Sequence, residues 1–567
     1  MLQIRCKNTG VTKSFPEGTS LLDIYQEFAD EIALPYPVVS AKVNNVSQGL
    51  KFRVYQNRDV EFLDAREGSG HRVYVRSLSF VLYKATQDVF PGSKLFIEHS
   101  LCRGYYCNFK KRPATGADGR QGSGLTDDDV ALIRTRMHEI IDLDMPFRRT
   151  EATNEEAVRV FTERGFTDKV KLLETSGQIY SDYYTLGDTV DYYYGPLVPS
   201  AGYLKVWELE RYEQGLLLRV PDWNDPSRVA EKVEQPKTFE MFAEKTRWDI
   251  IMRLSNAGDV NRAVERGHAS ELIQVSEALQ EKKIVQIAED IYARCERAEG
   301  LNPIVLITGP SSSGKTTFCK RLSIQLLACG LRPLSFSTDD YFVNRVDTPK
   351  LPNGDYDFDN LETVEYRLLE DHLLRLLKGE RVEVPEYNFV TGRREWNGKR
   401  LKLSPDTVLM IEGIHALNPK LTEKIDDAMK YKVYISALTS TSLDDHNWIP
   451  VRDNRLLRRI IRDYNKGAFT AQQTIAQWKN VLEAENQWIV PFQESADVMF
   501  NSALSIEFAV LRSHAELILA QVPRNCPEYS EAHRLLKFIR YFLPVSDKEI
   551  PPTSIMREFV GGSSFKY

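Results

Sequence analysis

Hydrophobic and polar positions change rhythm several times along the chain. Leu2-Gln3-Ile4-Arg5-Cys6 alternates with period two, the signature of a half-buried strand. Pro16-Glu17-Gly18 marks a turn, and Ser20 stands where it can cap a helix carrying Leu21, Leu22, Ile24 and Tyr25. Strand-like runs follow at Val38–Val43 and Phe52–Phe62, so residues 1–64 predict a small mixed α/β domain. A helix is predicted from Val73 to Asp88, opening a second block over 65–225. Residues 226–300 read as a helical connector in which Ile284, Ile287, Ala288 and Ile291 share one face, a stripe suited to core packing. From 301 to 567 the pattern becomes α/β. Ile304-Val305-Leu306-Ile307-Thr308, Leu334-Ser335-Phe336 and Thr407-Val408-Leu409-Met410-Ile411 are short apolar runs of the kind that form buried parallel strands of a doubly wound sheet.

Composition sharpens this outline. At about 150 residues per domain, 567 residues give roughly three to four domains. The chain is 42% hydrophobic and 27% charged, enough to bury several cores. Lys and Arg number 74 against 80 Asp and Glu, a net charge of -6. RNA contact by the N-terminal domains therefore gains no support from net charge. No run reaches the roughly 18 apolar residues of a membrane helix, and the opening MLQIRCKNTG lacks a signal-peptide core, so a cytoplasmic protein without membrane contact is expected. Seven cysteines with one close pair, Cys102 and Cys107, predict reduced thiols rather than a zinc site. The glycine-rich stretch Thr115–Gly124 lacks a preceding buried strand and a Lys-Ser/Thr pair. It reads as a surface loop.

The strongest chemical signal follows the run at 304–308. Gly309-Pro310-Ser311-Ser312-Ser313-Gly314-Lys315-Thr316-Thr317 satisfies G-x-x-x-x-G-K-[ST] between a strand and a helix. Glycines let the backbone curl around a polyphosphate, and amides at the helix N-terminus face its charge. Lys315 can reach the β- and γ-oxygens and the Thr316 hydroxyl can hold Mg²⁺. ATP and Mg²⁺ are the cofactors this implies. No guanine-reading Asn/Thr-Lys-x-Asp occurs downstream, which places a GTPase below a kinase.

Carboxylates follow the other two runs. Asp339 is the first choice for the base that takes a proton from an attacking hydroxyl, with Asp340 second. Glu412 suits a Mg²⁺ or water ligand, although a turn residue is the alternative. Arg452, Arg455, Arg458, Arg459 and Arg462 fall on a predicted helix. Arg455 and Arg459 are the candidates for neutralising charge in phosphoryl transfer.

These segments resemble known families. Residues 1–64 resemble the ubiquitin-like TGS domain, implying a β-grasp-like fold. Phe90–Leu95, Gly104–Phe109 and Val190–Pro199 look like the α+β editing region of threonyl-tRNA synthetases. That family hydrolyses mischarged tRNA with His-x-x-x-His, a Cys and a further His. Arg76, Phe80, Tyr193 and Leu197 stand at those places, implying an inactive descendant acting as scaffold or sensor. Residues 300–500 resemble the uridine kinase/phosphoribulokinase family, through Asp339-Asp340-Tyr341-Phe342, Tyr356-Asp357-Phe358-Asp359, Pro385-Glu386-Tyr387-Asn388-Phe389, Ile411-Glu412-Gly413-Ile414 and Arg455–Asp463. The resemblance implies a P-loop kinase in which Asp339 is the base and Asp359 binds a ribose diol. Tyr387 and Phe389 would then line a nucleobase pocket, a plain core aromatic pair being the other reading. Gly392 replaces the base-reading His, so the acceptor stays open between uridine or cytidine and another sugar-like or vitamin alcohol. An ATP-binding regulator linked to tRNA or the ribosome is the alternative of a different class. The insertion Thr439–Pro450 reads as a loop that touches substrate or decorates the surface. The whole arrangement resembles bacterial multidomain nucleoside kinases, with oligomeric state open.

Overall fold

A computed structural model describes residues 1–111, 124–297, 303–352, 354–404, 406–439 and 441–566. Most of the glycine-rich stretch, residues 115–123, lies outside them. In the first domain Leu2, Ile4 and Cys6 are buried while Gln3 and Arg5 are exposed, as the alternation requires. The sheet runs Thr12–Phe15, Leu2–Cys6, Arg58–Leu63, Ser40–Val43, Val46–Gln48, with a parallel central pair flanked by antiparallel neighbours. Helix Leu21–Phe28 crosses it, laying Leu21, Ile24 and Phe28 on the sheet, and the Ser20 hydroxyl accepts the Asp23 amide at 3.2 Å. This is a β-grasp arrangement. The run 52–62 splits into Arg53–Val54 and Arg58–Leu63, because Asn57 turns its side chain to accept the Gln3 amide at 2.9 Å.

The second block is α+β. Helix Gly68–Val89 shares a core with helix Asp127–Asp142 and a four-stranded sheet ordered Glu208–Tyr212, Gly215–Arg219, Gly104–Lys110, Lys94–Leu101. The first helix begins at Gly68 rather than Val73. Its opening Gly-Ser-Gly-His-Arg carries no apolar period and is held by tertiary contact, the His71 ring stacking on Trp223 at 3.9 Å.

The third sheet carries the chemistry. Its order is Arg332–Ser337, Thr407–Glu412, Ile304–Thr308, Lys430–Ser436, Val498–Asn501, and all neighbours are parallel. Both faces are covered, as a parallel sheet demands. Val305 and Ile307 pack against Phe318 and Leu322 of helix Lys315–Ala328 and against Ile284, Ile287, Ala288 and Ile291. Ile304 and Leu306 face Leu369 and Leu373 of helix Tyr366–Leu377. The apolar stripe of 226–300 thus lies on helix Ala269–Arg297, one of the sheet's covering layers. No helix among the described residues is long and apolar enough to cross a membrane.

Residues 441–450 of the insertion are mostly buried against the second block and do not decorate the surface. They are bolted to the second block through fully buried charge. Lys169, with no exposed surface, lies 3.0 Å from Asp191 and 3.1 Å from Asp444, and His446 Nδ1 lies 2.8 Å from Asp191. Burial opposes the ammonium, but Asp191, Asp444 and Asp168 outweigh it, so Lys169 stays ionised well above its usual range. Asn447 Nδ2 adds a bond to Tyr192 O at 2.8 Å, and the Asp445 amide one to Asp168 at 2.9 Å. Leu443, Trp448 and Ile449 add apolar packing beside these charges, but the charged participants themselves carry no apolar pattern.

Candidate active site

Strand Ile304–Thr308 delivers the loop Gly309–Thr317 to the carboxyl edge of the sheet, and helix Lys315–Ala328 begins within it. Ser312 and Gly314 adopt left-handed backbone, with φ of 60° and 86°, which curls the chain into a cradle. The hydroxyls of Ser312 and Ser313 are buried without a partner among the described residues. A buried unpaired hydroxyl is costly, and a bound polyphosphate supplies acceptors for it. The loop therefore fits the nucleotide that its sequence implies.

Two distant elements clamp this loop. The predicted arginine helix spans Val451–Asn465. Arg455 Nε donates to Ser311 O at 2.9 Å, Arg458 Nη1 to Ser312 O at 3.3 Å, and Arg459 Nη1 to Ser311 Oγ at 3.0 Å. Arg458 is fully buried and paired with Glu507, which anchors it. Glu485 accepts the Ser311 amide at 3.2 Å and also pairs with Arg455. From the C-terminal side, Glu558 accepts the Thr317 hydroxyl at 2.6 Å. Glu485, Glu507 and Glu558 escape sequence reasoning because no local spacing ties them to the loop.

Carboxylates converge on the same edge. Asp339 sits in the short turn Thr338–Tyr341 that ends strand Arg332–Ser337, and Glu412 ends strand Thr407–Glu412. Gly413 allows the two strand ends to close up, since a Cβ there would fall 1.8 Å from Thr338 Oγ1. Thr316 Oγ1 donates to Glu412 at 3.5 Å and Ser337 Oγ at 3.4 Å. Burial raises the Glu412 carboxyl to about 7, with Asp339 and Glu558 adding to the rise and Lys315 opposing it. Asp339 is raised by burial, partly countered by Lys315. Lys315 is lowered by burial, against the pull of Glu412, Asp339 and Glu558. These groups feel one another's charge across one cleft. Asp340, the second choice for base, turns away and accepts the Tyr387 amide at 3.4 Å.

Asp359 joins the same field. Burial raises it to about 6, Arg459 opposes the rise, and Glu485 and Asp339 add to it. Tyr387 is buried in the core against Phe342, whereas Phe389 is 59% exposed, its ring centroid 5.0 Å from that of Tyr387. The two aromatics are therefore unlike: one is core, the other open to a ligand. Beside them, the site of the missing His at Gly392 is filled by Arg345. Its amide donates to Gly392 O at 2.8 Å and its Nη2 to Phe389 O at 2.6 Å. Arg345 was not foreseen, because its proximity arises from the hairpin Glu386–Glu395 folding back on residues 344–348.

In the second block, Phe80 and Tyr193 are buried with ring centroids 5.5 Å apart, and Leu197 joins the same core. Arg76 lies beside them with its guanidinium over the Tyr194 ring at 5.4 Å. No cluster of His, Cys, Asp or Glu able to hold a metal occurs among the described residues.

Residues 304–507 match the Phosphoribulokinase / Uridine kinase family. The chain is 30% identical over 179 residues to the uridine kinase of Mycoplasma genitalium, covering 32% of this chain and 75% of that enzyme. The chain belongs to the phosphoribulokinase/uridine kinase family. Among solved structures, this family member superposes on D-glycerate 3-kinase from Cryptococcus neoformans at 17% identity and a TM-score of 0.29, over 39% of this chain and 92% of that one. The chain also carries an N-terminal region similar to threonine–tRNA ligases. It is 31% identical over 206 residues to that of Syntrophomonas wolfei, which is 36% of this chain. The matched part spans only 30% of the ligase's length.

Proposed function

We propose that the protein transfers the terminal phosphoryl group of ATP to the 5′-hydroxyl of a nucleoside, uridine or cytidine first. The observation that carries this reading is Asp339 sharing one cleft and one electrostatic field with Lys315 of the phosphate loop. In this scheme Lys315 and the loop amides hold the β- and γ-phosphates, while Thr316 and Glu412 hold Mg²⁺. Gly309, Pro310, Ser311, Ser312, Ser313, Gly314 and Thr317 shape the cradle. Bound Mg²⁺ supplies charge neutralisation at the phosphates.

Asp339 accepts the proton of the acceptor hydroxyl as its oxygen bonds to the γ-phosphorus and the bridging P–O bond breaks, leaving ADP. Arg455 and Arg459, held on Ser311, neutralise charge that moves from donor to acceptor. Asp359 in its ionised form accepts hydrogen bonds from the ribose diol, and Phe389 offers an exposed ring face to the base. The second block serves as scaffold or sensor rather than as a deacylase, because Phe80 and Leu197 can neither bind a metal nor move a proton.

A screen of nucleosides and related alcohols for ATP-dependent product formation tests this proposal. Phosphorylation of uridine or cytidine, lost in Asp339→Asn, is the expected result. Turnover of only a non-nucleoside alcohol would favour the second reading, a kinase of another sugar-like or vitamin alcohol. Arg345 seated against Gly392 is the observation that favours it, since a guanidinium donates where the family's His would read a pyrimidine. RNA binding without phosphorylation of any alcohol would instead point to the ATP-binding regulator.

A further inference from the structure

A cavity of about 680 Å³ opens between the β-grasp domain, the second block and helix Tyr529–Ile539. Its volume is that of a small-molecule site, within the usual range of about 300–1,000 Å³. It is distinct from the phosphate loop, none of whose residues lines it. Its walls carry Lys51 from the first domain, Arg72, Arg76, Arg148 and Arg149 from the second, and Arg534 and Lys537 from the C-terminal helix. Only two carboxylates, Glu151 and Asp182, line it in return.

Some of these cations are already neutralised. Arg149 pairs with Asp182 at 2.7 Å, Arg72 with Glu531 at 3.1 Å, and Arg534 with Glu531 and Asp453. The others are not. Lys51, Arg76, Arg148 and Lys537 form no ion pair among the described residues. Arg76 is the most telling, being only 8% exposed. Its Nε donates to Arg72 O at 3.0 Å, its guanidinium lies over Tyr194, and its remaining donors border the cavity.

Burying a guanidinium without a carboxylate is expensive, and proteins keep such a group where a ligand completes it. The site is also shaped for that side chain. A Cβ on Gly195 would fall 1.4 Å from Arg76 Nη1, so only glycine leaves room for the guanidinium. Burial lowers Arg76 to about 10, with Arg72 and Arg534 adding to the fall, and lowers Lys537 to about 8, where Asp182 opposes the fall and Arg76 and Arg149 add to it. An anion in the cavity would relieve both costs.

We propose that this cavity binds a small organic phosphate of nucleotide size. Several unpaired cations around one open cavity match a group with more than one negative charge, which a single carboxylate does not supply. Tyr184, Tyr194 and Phe52 line the same space and offer flat apolar surface to the organic part. The cations predominate over Glu151, Asp182 and His533 in the lining, which suits a site that holds an anion. The source is either the product of the proposed reaction, a nucleoside monophosphate, or the donor nucleotide itself.

Calorimetric titration of the full chain with UMP, ATP and inorganic pyrophosphate tests this. The protein carries Lys315→Ala, which disables the phosphate loop and keeps the kinase reading out of the result. At least one of these anions should still bind, and Arg76→Gln, Lys537→Gln or Lys51→Gln should each weaken it at least tenfold. Preference for UMP over ATP identifies product, and the reverse identifies donor. Absence of anion binding in the Lys315→Ala protein would overturn the proposal. So would binding indifferent to all three cavity substitutions, or binding of a short oligoribonucleotide alone. If Arg76→Gln fails to fold, the two lysine variants decide the matter.

Discussion

The candidate active site and the N-terminal cavity both carry lysine and arginine, yet their charges are arranged in opposite ways. In the cleft each cation faces acid: Lys315 feels Glu412, Asp339 and Glu558, Arg455 pairs with Glu485, and Arg459 lies 3.4 Å from Asp463. In the cavity Arg76, Arg148, Lys51 and Lys537 line the wall without such partners. Under the roles proposed above, the difference separates binding a phosphate from moving one. Phosphoryl transfer needs a carboxylate to hold the metal and another to take a proton, and those acids must survive beside the cations that grip the phosphates. A site that only holds a phosphate needs the cations alone.

The sharpest way to break this distinction is to remove the acid. Asp339→Asn should lower kcat by about 10²–10⁴-fold, measured with saturating ATP and acceptor, while ATP binding persists. A variant with undiminished turnover would make the cleft no more than a second binding site. Next in size is the bolt that joins the two regions. Lys169→Met leaves Asp191 and Asp444 buried without their shared cation, and should cost about 3–5 kcal/mol in denaturant unfolding. Unchanged stability would mean that the regions stand independently.

The third effect depends on pH. The Asp359 carboxyl is raised to about 6, so it is ionised above that value and protonated below it. Acceptor KM should therefore rise about tenfold per unit as pH falls below about 6, and Asp359→Asn should flatten the profile. The smallest effect belongs to Phe389→Ala. Removing an exposed ring should raise acceptor KM by about 2–10-fold, with Tm unchanged, if the ring stacks on a base.

Much of the cleft was legible because its parts are local in sequence. The nine residues from Gly309 to Thr317 follow an apolar strand, and Asp339 and Glu412 each follow another, so the parallel sheet gathers them at one edge. The arginine helix was legible from spacing, but which arginine anchors and which faces the loop was not, since Glu507 decides it from a separate helix. Tyr387 and Phe389 looked alike in sequence, and only the hairpin's direction buries one and exposes the other. The bolt around Lys169 was invisible for a plainer reason. Its lysine and Asp444 lie 275 positions apart, and a polar pair carries no period. The apolar stripe at 284–291 told that a core existed, without telling which sheet would supply it.

Glu558 reaches back across 241 positions to Thr317. A ribosome adding about 5–20 residues per second takes on the order of tens of seconds to span that interval. During synthesis, the cradle emerges long before its last brace has been made. The nascent chain is thus denied its fully braced phosphate loop until nearly all of the polypeptide described here has been translated.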